Sequence, residues 1–335
     1  MLEQPDLPHD LILARLRESY ALAITHLEFL PLGADANTAV YCAIAADGTR
    51  YFVKLRRGGF DKSGLSLLKQ LKDRGVEAVI APIIAGYGQL WTEIAPYSLV
   101  LFPFIEGRNG YEIELTADHW RELGATLMRV HTIEISPALA DSIRREDFAP
   151  RWREAVRGFL ADIRRQTYAD PVAAELATFL SLKQDEVLHL VEQAERLAAT
   201  LRARPQEFVL CHSDLHAGNV LIDGDGKLYI VDWDQPIFAP IERDLMYPGG
   251  AQGFRGFLPE EEETLFYRGY GLVEVDPVAL AYYRCERIVE DIAVYCDELL
   301  LSDAGGTDRE QSLRYVMSNF EPGGTIEAAY RVLLP

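Results

Sequence analysis

The sequence predicts an α+β protein of two unequal lobes, a small β-rich one over residues 1–104 and a larger, mainly helical one over residues 105–335. Three observations carry that expectation. The first hundred residues alternate short apolar runs with turn signals. From Thr116 onward a helical periodicity dominates. Between the helical stretches lies one compact strand pair, Asn219–Ile222 and Leu228–Val231, around the turn Asp223-Gly224-Asp225-Gly226. A chain of 335 residues has material for two such cores.

In order along the chain, an amphipathic helix is expected over about His9–Tyr20. Apolar runs at Ala39–Ala45 and Tyr51–Leu55 flank Asp47-Gly48, a hairpin turn. A short helix from about Leu65 to Arg74 stops at Gly75. Two more strands are expected near Ile83–Tyr87 and Leu99–Phe102, after which Pro103 and Gly107 punctuate a connector and set the boundary. Thr116 is placed to cap a helix reaching His131, itself read as a packing histidine. Helices are expected across Pro150–Ala203 and Pro277–Leu301. The acids Glu260–Glu263 read as a solvated helix start.

Apolar residues at 49% and charged residues at 25% exclude a disordered, collagen-like or disulfide-stapled chain. The formal charge of −19 argues against nucleic acid or an anionic membrane as partner, since both require basic patches. The start MLEQPDLPHD lacks the pattern of a signal peptide, and no stretch of 18 apolar residues predicts a membrane span. Cys42, Cys211, Cys285 and Cys296 are widely spaced without a C-x-x-C pair, which predicts reduced thiols and a cytoplasmic location.

The chemistry concentrates in Cys211–Asp234, CHSDLHAGNVLIDGDGKLYIVDWD. It holds H-x-D-x-x-x-x-N (His212, Asp214, Asn219) and, 13 residues later, Asp232 at the end of an apolar strand. Phosphoryl transfer explains this spacing. A carboxylate, Asp214, orients an attacking hydroxyl and accepts its proton. Oxygen ligands on the two ends of a hairpin, Asn219 and Asp232, suit magnesium. A calcium loop starting at Asp223 fails, because its sixth position is Leu228 and its twelfth Asp234. A metal hydrolase built on His212, Asp214 and His216 lacks a second histidine cluster.

On this segment the chain resembles the aminoglycoside phosphotransferase family, relatives of the protein kinases. YFVKL, WDQP, ERDLM and YYRCERIVEDIAVY extend the likeness, towards its spectinomycin phosphotransferases, over nearly the full length. The resemblance implies a protein-kinase-like two-lobe fold, ATP (GTP being an alternative) and Mg2+ as cofactors, and Asp214 as catalytic base. Asn219 and Asp232 are then the metal ligands. It further implies Lys54 on the nucleotide phosphates, a covering loop with Gly33, Asp35 and Asn37, and adenine held by the backbone at Phe102, Phe104 and Ile105. His212 and His216 are expected to be structural. The chain departs from the pattern in having one glycine in the phosphate loop and no Glu between Gly58 and Arg74. Asp61 is the nearest carboxylate to replace the ion-pair partner of the lysine.

Charge distinguishes the lobes. Residues 1–104 carry 10 basic and 11 acidic side chains, residues 105–335 carry 23 and 41. An acidic acceptor lobe suits a cationic, hydroxyl-rich acceptor. With the resemblance, this leads to an ATP-dependent kinase acting on an aminocyclitol or aminoglycoside antibiotic, spectinomycin first, and conferring resistance. Trp233, Asp234, Glu290, Asp291, Asp297 and Glu298 are the candidate substrate residues. The late-helix acids have surface pairing with Arg284 or Arg287 as their alternative. The alternatives for function are a metabolic kinase for choline, homoserine or a similar amino alcohol, and a non-catalytic nucleotide-binding regulator.

Overall fold

The computed structural model describes residues 4–32, 37–58, 62–302 and 306–332. The chain begins with α1 (His9–Tyr20), β1 (Ile24–Leu30), β2 (Thr38–Ala45), β3 (Arg50–Arg57) and α2 (Ser63–Asp73), followed by β4 (Thr92–Ile94) and β5 (Tyr97–Pro103). These strands form one antiparallel sheet in the order β1-β2-β3-β5-β4. Its centre is apolar because β2 buries nearly every residue. Ile12 and Leu16 of α1 close one face against Tyr41, Val53, Leu55, Leu99 and Leu101. The β2–β3 turn works as expected: Gly48 takes φ 85°, and Asp47 Oδ1 accepts the Thr49 N–H at 2.9 Å.

β1 lies outside the expected strands, and one expected strand needs correction. β1 is an edge strand with only Leu27 buried, so its ITHLEFL shows no clean alternation to read. The expected strand at Ile83–Tyr87 does not form. Ile83 N–H does reach Leu101 O at 2.7 Å, but the chain then turns through Gly86–Gly88 with Tyr87 at φ 63°. Of the apolar residues there, Ile83 packs against the core of the sheet, while Ile84 and Tyr87 are exposed.

Beyond Pro103 the elements are β6 (Gly107–Asn109), α3 (Ala117–Thr132), α4 (Pro137–Ala140), β7 (Arg144–Arg145), α5 (Arg151–Ile163), α6 (Pro171–Leu182), α7 (Gln184–Arg202) and β8 (Val209–Cys211). Then come β9 (Val220–Asp223), β10 (Leu228–Ile230), β11 (Ile237–Ala239), α8 (Glu242–Leu245), α9 (Pro259–Tyr270), α10 (Pro277–Leu301), α11 (Gly306–Ser318) and α12 (Thr325–Arg331). Thr116 caps α3 by accepting the His119 N–H at 3.2 Å, while His119 Nδ1 accepts the Thr116 N–H. The strands β10-β9-β6 form one small sheet and β7-β11-β8 another. Trp120, Leu123, Leu127 and Phe266 make the core between α3 and α9. Val156, Leu176, Leu190, Val289 and Ile292 make that of α5, α6, α7 and α10. Of the four acids that open α9, Glu262 is not solvated: it is 5% exposed and accepts the Gly249 N–H at 3.0 Å. The result is an α+β fold, an antiparallel sheet followed by a mainly helical remainder. Among the described residues, no helix is long and apolar enough to cross a membrane.

Candidate active site

The site is built on the β9–β10 hairpin. Asp223 Oδ1 accepts the N–H groups of Asp225 (3.0 Å) and Lys227 (2.9 Å), and Gly226 takes φ 82°, so the turn satisfies its own carboxylate and brings the strands back together. Val231 N–H donates to Asn219 O at 3.0 Å, which sets Asn219 beside the residue preceding Asp232. The backbone is strained in the same way on the loop and on the hairpin. Ser213 and Asp232 hold φ of 74° and 64°, left-handed conformations costly for residues with a side chain and maintained only where the surroundings enforce them.

Asp244 of α8 provides that enforcement for the loop. It is fully buried, accepts the N–H groups of His212 (2.8 Å) and Ser213 (2.7 Å), and meets His131 Nε2 at 3.1 Å, while His131 Nδ1 meets the Tyr270 hydroxyl at 2.7 Å. Burial pushes the Asp244 carboxyl up, but His131 and the donated N–H groups outweigh it and hold it below its ordinary value. His212 spans the loop and the hairpin: its Nδ1 accepts the Asp214 N–H at 3.2 Å and its Nε2 donates to Val231 O at 2.9 Å. With both ring nitrogens used, His212 has none left for a metal. The Tyr247 hydroxyl donates to Ser213 O at 2.6 Å. His216 accepts the Gly218 N–H at 3.0 Å and stacks on Tyr111 at 5.6 Å.

Asp214 is thereby presented at the junction with α10. Its Oδ1 receives Arg287 Nη1 at 2.5 Å; its Oδ2 lies 3.3 Å from Asn219 Nδ2 and 3.7 Å from His216 Nε2. Burial raises the Asp214 pKa, but Arg287, by its charge and its hydrogen bond, together with His216 and His212, outweighs it, so the carboxyl sits far below the usual range and is ionised throughout the working pH range. Arg287 also donates Nε to Asp291 at 2.9 Å. Burial pushes Asp291 up to about 6 against that pull.

On the other side, Lys54 of β3 donates to Asp232 at 2.9 Å and Asp234 at 2.8 Å, and Arg56 reaches Asp234 at 2.6 Å. Burial acts to lower the Lys54 pKa, but the two carboxylates win and raise it; Lys54 in turn lowers Asp232, while burial raises Asp234. These ion pairs tie the sheet to the hairpin. Gly64 at the start of α2 completes the junction, because a Cβ there would lie 2.7 Å from Trp233 O.

The donor set fits magnesium. Asn219 commits its Nδ2 to Asp214 O (2.7 Å), leaving Oδ1 as a ligand, and Asp232 uses Oδ1 on Lys54, leaving Oδ2. Both are hard oxygens on adjacent hairpin ends.

Several expected residues fall elsewhere. Trp233 is 3% exposed, donates Nε1 to Ile230 O at 3.0 Å and packs edge-on against His212, so it is a core residue with no face for a ligand ring. Asp234 is held in ion pairs by Lys54 and Arg56. Glu290 pairs with Arg243 at 3.6 Å, Asp297 is exposed, and Glu298 accepts the Ser312 hydroxyl at 2.8 Å. Of the late-helix acids only Asp291 joins the network around Asp214. At the connector the Phe104 N–H already donates to Arg50 O at 3.3 Å, and Phe102 is paired with Phe52 in β5 and β3; Ile105 follows in the turn to β6. Asn37 O accepts the Arg57 N–H at 2.8 Å; Gly33, Asp35 and Asp61 lie outside the described residues.

An Asp presented next to a strained loop residue and beside an Asn, a hairpin ending in a second Asp, and a strand lysine facing that Asp form a phosphoryl-transfer arrangement. In agreement, the phosphotransferase enzyme family matches residues 28–271. The chain belongs to this family. Spectinomycin phosphotransferase APH(9)-Ia, solved with ADP and spectinomycin, superposes with a TM-score of 0.90 at 35% identity, over 98% of this chain and 99% of that one. Its AMP-bound form gives 0.85 at 34% identity, over 96% and 98%. Protein StrN of Streptomyces griseus is 28% identical over 226 residues, 65% of this chain and 67% of that protein. The kinase-like fold and the family resemblance expected from the catalytic segment are thus borne out, and the chain is a phosphotransferase-family kinase by descent.

The site also holds residues that spacing did not reveal. Asp244 and Tyr247 act on Ser213 from 31 and 34 residues away in sequence, and no local pattern records such a contact. Arg287 was visible only as a surface partner for acids, whereas it is 19% exposed and bonded to Asp214. Tyr111 stacks on His216, which lies 3.7 Å from Asp214, and Tyr295 packs near Tyr315 at 6.1 Å.

Proposed function

We propose that this chain is an ATP-dependent O-phosphotransferase that phosphorylates a hydroxyl of a cationic aminocyclitol antibiotic, with spectinomycin as the first candidate, and so confers resistance. The observation that carries the reading is the acceptor side of the site: one guanidinium, Arg287, between two carboxylates, Asp214 and Asp291. That cluster carries a net negative charge which an acceptor ammonium balances. The whole-length likeness to a spectinomycin phosphotransferase supports the same acceptor.

In this reading Asp214 accepts a hydrogen bond from the acceptor hydroxyl, orients it in line with the terminal phosphorus and takes its proton as the O–P bond forms. Ionised at working pH, it is ready to do so. Lys54 turns from Asp232 and Asp234 towards the nucleotide phosphates, and Asn219 Oδ1 with Asp232 holds magnesium, which when bound neutralises charge on the transferring group. GTP is the alternative to ATP. Tyr111, Tyr295 and Tyr315 supply the aromatic surface that Trp233 does not. Residues 1–104 serve as the nucleotide lobe and 105–335 as the catalytic and acceptor lobe, with the turn after Pro103 as the connector beside the base. Cytoplasmic residence fits the reaction, because ATP is there.

The test is ADP release by purified protein with Mg2+ and ATP, offered spectinomycin, other aminocyclitols and aminoglycosides, choline and homoserine in turn. Spectinomycin-dependent release is expected. Turnover confined to choline or homoserine would replace the acceptor, and no turnover with any member would leave a nucleotide-binding regulator.

A further inference from the structure

We propose that a second anion site lies behind the catalytic loop, where Arg144, Arg145, Arg151 and Arg243 gather around a small cavity that binds a phosphate-type oxyanion. Asp214, Asn219, Asp232, Arg287 and Asp291 line no part of this cavity. Its occupancy does not depend on which acceptor is phosphorylated.

The cavity has a volume of about 130 Å³. Pockets for drug-sized ligands run to roughly 300–1,000 Å³, so a nucleotide or an aminocyclitol does not fit, whereas a small ion does. The fold brings its arginines together from three places. Arg144 and Arg145 form β7, which pairs with β11 at Ile237 and Phe238. Arg151 opens α5, and Arg243 lies on α8.

Arg243 is the buried member, 7% exposed, yet its guanidinium makes no hydrogen bond among the described residues. Its Nε is buried without a partner, and its nearest carboxylate, Glu290, stands 3.6 Å away. A buried donor left unpaired is costly, and a ligand oxygen removes that cost. Arg144, Arg145 and Arg151 are exposed and form no ion pair among the described residues. Arg145 lies over the Phe208 and Phe238 rings at 5.2 and 5.3 Å, and Arg151 over Trp152 at 4.1 Å, contacts that leave their N–H groups without an oxygen.

The carboxylates on the same walls are already engaged. Glu146 Oε1 accepts the N–H groups of Asp147 (3.0 Å) and Phe148 (2.8 Å), and Asp147 Oδ1 accepts the Ala149 N–H at 2.9 Å. Glu286 is held by Arg153 at 2.5 Å. With Glu286 balanced by Arg153, four guanidiniums face three carboxylates, Glu146, Asp147 and Glu290. The crowding registers on Arg144, whose pKa is lowered by burial and by the charges of Arg243 and Arg151. The first residues of α5, Arg151 and Trp152, also line the cavity, and Pro150 gives that helix no side-chain cap. The positive end of its dipole therefore adds to the arginines. A tetrahedral oxyanion answers this arrangement, because its oxygens accept from several guanidiniums at once.

The site backs onto the catalytic loop. Arg243 is followed by Asp244, whose carboxylate holds the N–H groups of His212 and Ser213. An ion held by Arg243 steadies the helix that sets this loop.

The test is calorimetric titration of inorganic phosphate into the nucleotide-free protein, with malonate as a second arm and Tm followed as phosphate is raised. It compares wild type with Arg243→Met, with Lys54→Met, and with Arg144→Met/Arg151→Met, which alters only exposed residues and decides alone if Arg243→Met folds poorly. One saturable phosphate site is expected in wild type and in Lys54→Met, with Tm rising as it fills. Kd should weaken roughly tenfold or more in Arg243→Met and in the double variant, the scale of a charged hydrogen bond. Malonate should bind less tightly than phosphate. Loss of binding in Lys54→Met with retention in the double variant would put the ion at the nucleotide site and overturn the proposal. So would the absence of saturable binding in wild type, and malonate binding more tightly would overturn the phosphate assignment.

Discussion

The proposed nucleotide side and the proposed acceptor side of the site are both ion-pair clusters, but they are charged differently. On the nucleotide side two cations, Lys54 and Arg56, meet two carboxylates, Asp232 and Asp234, across the junction between sheet and hairpin. On the acceptor side one cation, Arg287, meets two carboxylates, Asp214 and Asp291, with every partner on the helical side. In the proposed reading the difference matches each side to its ligand. A balanced cluster can open to admit a balanced ligand, nucleotide phosphates together with a divalent ion. A cluster one cation short fits a ligand that brings a cation. In both places the groups that will touch ligand hold one another meanwhile, which limits the desolvation cost of burying them unpaired.

Substitutions that strike one side and spare the other break this comparison. The largest effect is expected from Asp214→Asn, which removes the proton acceptor while keeping the shape: kcat should fall by roughly 10²–10⁴-fold, with nucleotide Kd by calorimetry nearly unchanged. Next, Lys54→Met should raise nucleotide KM by roughly 10–100-fold, the scale of a charged hydrogen bond, and leave acceptor KM alone in steady-state kinetics. Asp291→Asn should do the reverse, raising acceptor KM by roughly tenfold without moving nucleotide KM. If Asp291→Asn shifts both constants equally, the two sides are not independent.

The smallest effect concerns stability. Glu286 is buried against Arg153 at 2.5 Å, and burial pushes its carboxyl up to about 7 despite that partner. A carboxyl whose folded pKa exceeds its unfolded value of 4.5 binds its proton more tightly in the fold. Its stabilising contribution is therefore complete below pH 4.5 and lost as pH rises through about 7. Glu286→Gln should flatten the fall in Tm over that interval by roughly 3–4 °C, as expected for about 2–3 kcal/mol in a chain of this size. Differential scanning calorimetry at several pH values checks it.

How far the sequence could be read followed contact range. The His212–Asp232 segment is local: a loop, a hairpin and a turn whose spacing alone sets Asn219 beside Asp232. The need of a buried Lys54 for an anion was also visible, but not which anion. With no carboxylate in α2 before Asp73, its partners come from 178 and 180 residues away. Trp233 and Asp234 follow Asp232 directly, and the left-handed turn at Asp232 decides their fate, sending the indole into the core and the carboxylate towards β3. A period-3.6 helix put Glu290, Asp291, Asp297 and Glu298 near one another but could not say which face of α10 the catalytic loop meets. That depends on Tyr247 and Asp244, whose contacts cross the chain.

The central claim is that Asp214 directs phosphate onto a cationic aminocyclitol and not onto water. Phosphorus NMR of a reaction containing the protein, ATP, Mg2+ and spectinomycin tests it most directly. The expected result is a new phosphomonoester resonance on spectinomycin growing in step with ADP, and absent with Asp214→Asn. Inorganic phosphate as the only new product, or an unaltered spectrum beside turnover of another acceptor, would contradict it.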